Sequence, residues 1–207
     1  MFHALRQRPV VRKWKIDADG VVAIPYTFRN MNEYEDYEIA AVYDAMWRIG
    51  NNTCIHFKER TEERDYVEIK NDINQGCYAS VGRTYGKGVV QLEANDWSTC
   101  MVPHVVLHEL MHVIGLYHEH MRNDRDDYIT VNYTNIPRGY WSQFTKVAQP
   151  VVFTSVPYDY KSILHYDKTA FSHDGRSTTM TTNDPAYQVR SYAVQRFFLQ
   201  TCSSRVH

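Results

Sequence analysis

Residues 108–119 read HELMHVIGLYHE. His108 and His112 are four apart, so on a helix their rings share one face, a turn apart. Glu109 sits directly beside the first. Gly115 can take a positive φ and turn the chain sharply out of the helix, so that His118, three residues on, points back toward the other two. A lone histidine on a helix is more often a polar residue satisfied by its neighbours. The full spacing H-E-x-x-H-x-x-G-x-x-H overturns that reading and points to zinc. Three histidine ligands leave the fourth position of a tetrahedral zinc open, which separates a catalytic site from a structural one. Water in that position is acidified to a pKa of about 7. Glu109 is too close in sequence to His108 to ligate as well and is placed to act as its general base. The plainer alternative for Glu109 is a solvated helix carboxylate.

Elements with matching periodicity surround this stretch. PHVVLHELMHVIG (103–115) reads as a helix, with Pro103 in its first turn and Gly115 at its end. NEYEDYEIAAVYDAMWRIG (32–50) places Ile39, Val42, Tyr43, Met46 and Trp47 at helical spacing, with Gly50 as the expected stop. VVAIPYTF (21–28) reads as a strand, and Pro25 points to a sheet edge. CIHFKER (54–60), DYVEIKND (65–72) and GVVQLE (88–93) read as further strands. Past Gly115 the pattern weakens. DRDDYITVNYTNI is mixed and polar, PRGYWSQFTKV suits one or two helical turns, and YDYKSILHYDKTAF is irregular. Sheet and helices thus precede a loop-rich second half, with the boundary near Gly115. Residues 1–13 are basic and patternless, a loose arm.

The 207 residues suffice for one sizeable core or two small lobes around a cleft. A net charge of -1 leaves no electrostatic footprint for nucleic acid. No apolar run is long enough for a membrane segment. Nothing in the sequence speaks to oligomeric state. Cys54, Cys77, Cys100 and Cys202 form an even set without C-x-x-C spacing, which suggests two disulfides in one of three connectivities and an oxidising, extracellular setting. Sequons at Asn51 and Asn132 fit that setting. MFHALRQRPVVRKW lacks the apolar stretch of a signal peptide, so the expectation is a sequence that starts downstream of one.

With HELMHVIGLYHEHMRNDRDDYI (108–129), IPYTF (24–28), CIHFKER (54–60), GCYASVGR (76–83) and SILHYDKTAFS (162–172), the chain resembles the astacin family of zinc metalloendopeptidases, within the metzincins. These matches span roughly residues 14–188. The resemblance implies an α+β zincin fold, with two lobes flanking an active-site cleft. The peptidase domain would run over 14–207, the upper lobe to about 115 and the lower over 116–207, after an arm or propeptide remnant at 1–13. It implies hydrolysis of polypeptides with one Zn2+ held by His108, His112 and His118. Glu109 would be the general base that later carries the proton to the leaving amine. Tyr166 would ligate zinc at rest and steady the oxyanion during reaction. Glu119 would anchor the mature N-terminus after propeptide removal. Cys77, Tyr78 and Ala79 would pair with extended substrate by strand addition. The disulfides would be Cys77–Cys100 and Cys54–Cys202.

The chain departs from the family in three places. Leu164 stands where the family has the methionine of a tight turn beneath the zinc. Leucine is close to methionine in volume, so zinc binding is expected to survive. VRSYAVQRFFLQTC (189–202) has no good match to the family's terminal segment, which makes the C-terminal end atypical. Neither signal peptide nor propeptide is visible, and alignment places the mature start near Val10 to Trp14. His120 and His165 receive no role and are expected to be structural or surface residues. Arg176 and Arg190 lie where the family shapes the pocket for the residue after the scissile bond. Three rival readings stand beside the peptidase: a secreted zinc-binding pseudoenzyme with a degraded catalytic domain, a metal-stabilised structural domain, and a zinc hydrolase of non-peptide substrates.

Overall fold

In the computed structural model, which describes residues 11–147 and 156–188, the run at 21–28 forms strand β1 (Val22–Phe28). Helix α1 (Asp36–Asn52) carries the chain to β2 (Ile55–Glu59), followed by β3 (Tyr66–Lys70), β4 (Cys77–Ala79), β5 (Lys87–Leu92) and helix α2 (Pro103–Ile114). The strands form one sheet in the order β2-β1-β3-β5-β4. All neighbours are parallel except the edge strand β4, which runs antiparallel to β5.

Strand β1 is therefore internal, not the edge that Pro25 suggested. Val22 N–H donates to Cys54 O, and Arg29 N–H donates to Ile69 O. Even-numbered residues of β1 thus turn their backbone groups toward β2, and odd-numbered ones toward β3. The β1–β3 ladder begins only at Tyr26. The missing N–H of Pro25 falls on the β3 side, just before that pairing starts, where the ladder does not need it.

Helix α1 also differs from its expected span. Met31–Glu33 make a separate 3-10 turn capped by the Asn30 side chain, and Tyr34 is extended. The Tyr34 hydroxyl donates to Leu92 O (3.1 Å), which holds the chain out of the helix for one more residue. Glu35 and Glu38 then form a reciprocal capping box that starts α1. Gly50 does not stop the helix, which runs on to Asn52. A side chain there would meet the His56 ring at 3.0 Å, so close approach is what the glycine provides.

The unit built by Val11–Leu116 buries Ile24, Ile69, Val90 and Leu92 from the sheet, Val42 and Ile49 from α1, and Val106, Leu110 and Val113 from α2. Each fully buried aliphatic side chain contributes roughly 1.5–3 kcal/mol. Asn71 ties the connections together from inside: its side chain donates to Glu33 O and Ala94 O and accepts from Ala94 N.

The second unit, residues 117–188, is loop-rich, as the sequence suggests. Its only named strands among the described residues, β6 (Ile129–Val131) and β7 (Met180–Thr182), pair antiparallel. Ile129, Ile136, Phe144, Tyr158 and Met180 form its core. PRGYWSQFTKV supplies a 3-10 helix, Arg138–Phe144. Loops of this kind leave carbonyls unpaired, and buried arginines satisfy them. Arg125 donates to His120 O and Phe144 O, and Arg122 to Val156 O, Glu119 and Asp124.

Candidate metal centre

Helix α2 begins with Pro103 at its first turn and ends at Gly115, whose φ of 122° only glycine adopts comfortably. Carbonyls of the last turn find donors beyond the helix. Gly115 N–H and Gly82 N–H donate to His112 O, Leu116 N–H to Met111 O, and the Trp14 indole to Val113 O (2.8 Å). Val11 to Trp14 lie along this end of the helix. Arg83 N–H donates to Arg12 O, the Arg12 guanidinium sits 3.5 Å over the Tyr85 ring, and Val11 packs into the space left by the hydrogens of Gly82 and Gly115. The glycine turn thus has a fixed exit direction.

The candidate ligands follow along the uninterrupted stretch 108–118. The ligand atoms of His108, His112 and His118 all lie within 4.8 Å of one another. His112 Nδ1 is 2.7 Å from Leu116 O, which can only accept, so Nδ1 carries the proton and Nε2 keeps its lone pair. That Nε2 lies 3.1 Å from His108 Nε2. Two nitrogens bound to one tetrahedral zinc at about 2.0–2.1 Å would be about 3.3–3.4 Å apart. Burial, and secondarily His108, push the His112 pKa down to about 3, so the ring is neutral, the form that binds metal.

Glu109 is buried with its Oε2 unpartnered, and burial alone pushes its pKa up to about 8. An orphaned carboxylate oxygen on the same helix turn as two of the clustered histidines, one of them held neutral, suits a site whose missing charge a dication supplies. The donor set, three nitrogens and no thiolate, fits catalytic zinc rather than a closed structural site.

Within the second unit, the Tyr166 ring lies 4.4 Å from that of His118 and 4.1 Å from that of His120, with Phe171 and Phe144 behind it. His120 is fully buried and its Nε2–H donates to Gln143 O (3.0 Å). His165 donates from Nδ1 to Tyr166 O (2.8 Å) and its Nε2 accepts from the Tyr158 hydroxyl (2.7 Å). Neither histidine carries a motif that marks it in the sequence, and both hold Tyr166 in place. Their adjacency to Glu119 and Tyr166 was visible, but the partners Gln143 and Tyr158 follow from no local pattern.

Leu164 is buried, its N–H bonded to Ser162 Oγ in a turn closed by His165 N–H on Ser162 O. Its carbonyl accepts from Glu119 N–H (2.9 Å). The Glu119 carboxylate accepts from Arg122 (2.9 Å) and from Asp159 N–H (3.0 Å), and its pKa is raised, mainly by burial. Cys77, Tyr78 and Ala79 form β4. Gly76 O and Ser80 N–H bond to β5 and its continuation, so by alternation the backbone groups of Cys77 and Ala79 face away from the sheet. Cys77 is bonded to Cys100. Cys202, and with it the Cys54–Cys202 pairing, lies outside the described residues, as does Arg190. Arg176 is exposed.

An H-E-x-x-H helix, a glycine turn and a third histidine on a mixed α/β fold are the features of the metzincin class. The family model for astacin, a peptidase family, matches residues 10–197, and the chain belongs to the astacin family. It is 48% identical over 173 residues to zinc metalloproteinase nas-5 of Caenorhabditis elegans, covering 83% of this chain and 47% of the relative. It is 35% identical to the low choriolytic enzyme of Oryzias latipes, covering 84% of this chain and 60% of that one. Among solved structures it resembles high choriolytic enzyme 1, a hatching enzyme zinc-protease of Oryzias latipes. That match has a TM-score of 0.76 at 33% identity, over 86% of this chain and 84% of the other. The chain spans about half the length of the first curated relatives it matches.

Proposed function

We propose that this chain is the catalytic domain of a secreted zinc endopeptidase that cuts polypeptides. The observation that carries the reading is the gathering of three histidine nitrogens next to a buried carboxylate with an unpartnered oxygen. His108, His112 and His118 would hold the metal, with the Tyr166 hydroxyl as a further ligand at rest. When bound, zinc supplies Lewis acidity, polarising the scissile carbonyl and acidifying water. Glu109 takes the proton from the attacking water and delivers it to the departing nitrogen. The Tyr166 hydroxyl donates to the oxyanion of the tetrahedral state. Substrate lies extended along Cys77–Ala79, its backbone pairing with the outward groups of that strand. Glu119 receives the mature N-terminus once a propeptide is removed. The peptidase domain runs over 14–207, with Cys54 joined to Cys202. The Cys77–Cys100 disulfide supports an oxidising, extracellular setting.

The test is cleavage of a quenched, unstructured polypeptide by purified protein of known zinc content, beside Glu109→Ala and a chelated sample. Wild type should cut. Glu109→Ala should keep its zinc and lose about 10²–10⁴-fold in kcat. A folded, zinc-loaded wild type that leaves the polypeptide intact after removal of residues 1–9, which spares the Val11 and Arg12 contacts at the end of α2, would replace this reading with the pseudoenzyme.

A further inference from the structure

We infer that Trp97, at the tip of the hairpin between β5 and α2, contacts polypeptide substrate several residues away from the bond being cut. The inference rests on the peptidase reading and deepens it. Trp97 is 94% exposed. Covering a tryptophan removes roughly 150–250 Å² from water, so this ring forgoes a large gain by standing free. The hairpin does not need it for its shape. Asn95 N–H donates to Ser98 O (3.0 Å), and Asn95 Oδ1 accepts from Trp97 N–H (2.9 Å) and Ser98 N–H (3.0 Å). Asn95 Nδ2 is held by Glu93 (2.8 Å), Thr99 by Glu38 (2.8 Å), and Cys100 N–H by Glu93 O (2.6 Å). The indole is thus presented by a tip ordered in advance, which lowers the entropy lost on binding. Tryptophans so placed are common binding hot spots.

Its position connects it to the substrate strand. The Cys77–Cys100 disulfide, with Cα atoms 5.8 Å apart, fastens the hairpin base to the start of β4, and Gly76 N–H donates to Glu93 Oε2 (2.7 Å). Beyond the other end of β4, Gly82 N–H donates to His112 O. The strand therefore runs from the Trp97 hairpin to the metal-ligand end of α2. A peptide paired with Cys77 and Ala79 leaves the sheet beside Trp97 at one end. At about 3.3 Å per residue, the indole meets a side chain about two to four positions past the partner of Cys77. The chemistry it fits is an apolar or aromatic side chain on an extended segment.

The experiment compares a short fluorogenic peptide with the same core lengthened by four residues, one of them leucine, at either end. In wild type, lengthening at one end should raise kcat/KM. Trp97→Ala should lose about tenfold of that gain, with zinc content and Tm unchanged, and Trp97→Phe should keep most of it. An equal gain in wild type and Trp97→Ala overturns the inference. If wild type cuts neither peptide, the peptidase reading fails on its own. Anisotropy of the labelled long peptide then decides: weaker binding to Trp97→Ala supports the contact, and equal binding overturns it.

Discussion

Tyr166 illustrates how much a single side chain owes to its surroundings. Its ring is boxed by His118, His120, Phe144 and Phe171, and its carbonyl is pinned by His165. Only the hydroxyl separates it from phenylalanine, which the same box accommodates. Tyr166→Phe should therefore fold and retain zinc on the three histidines. Its kcat should fall about 10²–10³-fold, the usual loss of one oxyanion donor. Steady-state kinetics with metal analysis checks this, and full activity would remove Tyr166 from the mechanism. Leu164 poses the converse case. It fills the buried turn by volume and uses only backbone polar groups, so Leu164→Met should alter stability by less than about 1.5 kcal/mol. Zinc affinity, measured by competition with a chelating dye, should stay similar. A large gain would show that the methionine matters for more than its volume.

At the scale of elements, the end of α2 is held by donors that come from far along the chain. Gly82 is central to this. Its φ is +69°, its N–H bonds His112 O, and a side chain there would lie 2.6 Å from Val11 and 2.7 Å from Arg12 O. Gly82→Ala thus combines left-handed strain with a backbone clash. The expected loss is about 1–3 kcal/mol in chemical denaturation, together with weaker zinc binding as His112 shifts. Unchanged stability would mean that Val11 and Arg12 yield easily and do not brace the helix end. Sheet order belongs to this scale too. Pro25 reads as an edge residue from its chemistry alone, yet it sits inside the sheet because the β3 ladder begins one residue later.

For the molecule as a whole, the long-range consequence of burial is its response to alkali. Burial, with the nearby Tyr43 and Glu59 as smaller causes, pushes the Tyr26 phenol up to about 12, and burial raises Tyr34 further. In the unfolded chain both ionise near 10. A folded pKa above the unfolded one means the folded state favours the protonated form. That contribution is fully present below pH 10 and is lost as pH rises through the folded values. The protein should lose stability above pH 10, with phenolate absorbance from these two rings appearing late or together with unfolding. The Tyr26→Phe variant should show a shallower alkaline decline. Identical decline in both would assign the loss to other groups.

The histidine cluster was legible in the sequence because it is local. His108, His112, Gly115 and His118 fall within one helix and its exit, where spacing alone dictates geometry. The amphipathic helices and most strands were legible for the same reason, since periodicity encodes a buried face. The resemblance supplied Tyr166 and the Cys77–Ala79 strand, neither of which any local pattern marks. Tertiary structure alone decided that β1 is internal, that Gly50 serves close packing with His56, and that His120 and His165 brace Tyr166. It also left Trp97 in solvent on a tip closed by Asn95 hydrogen bonds. Each of these depends on which distant segments meet, and contacts between distant segments leave no period in the chain that makes them.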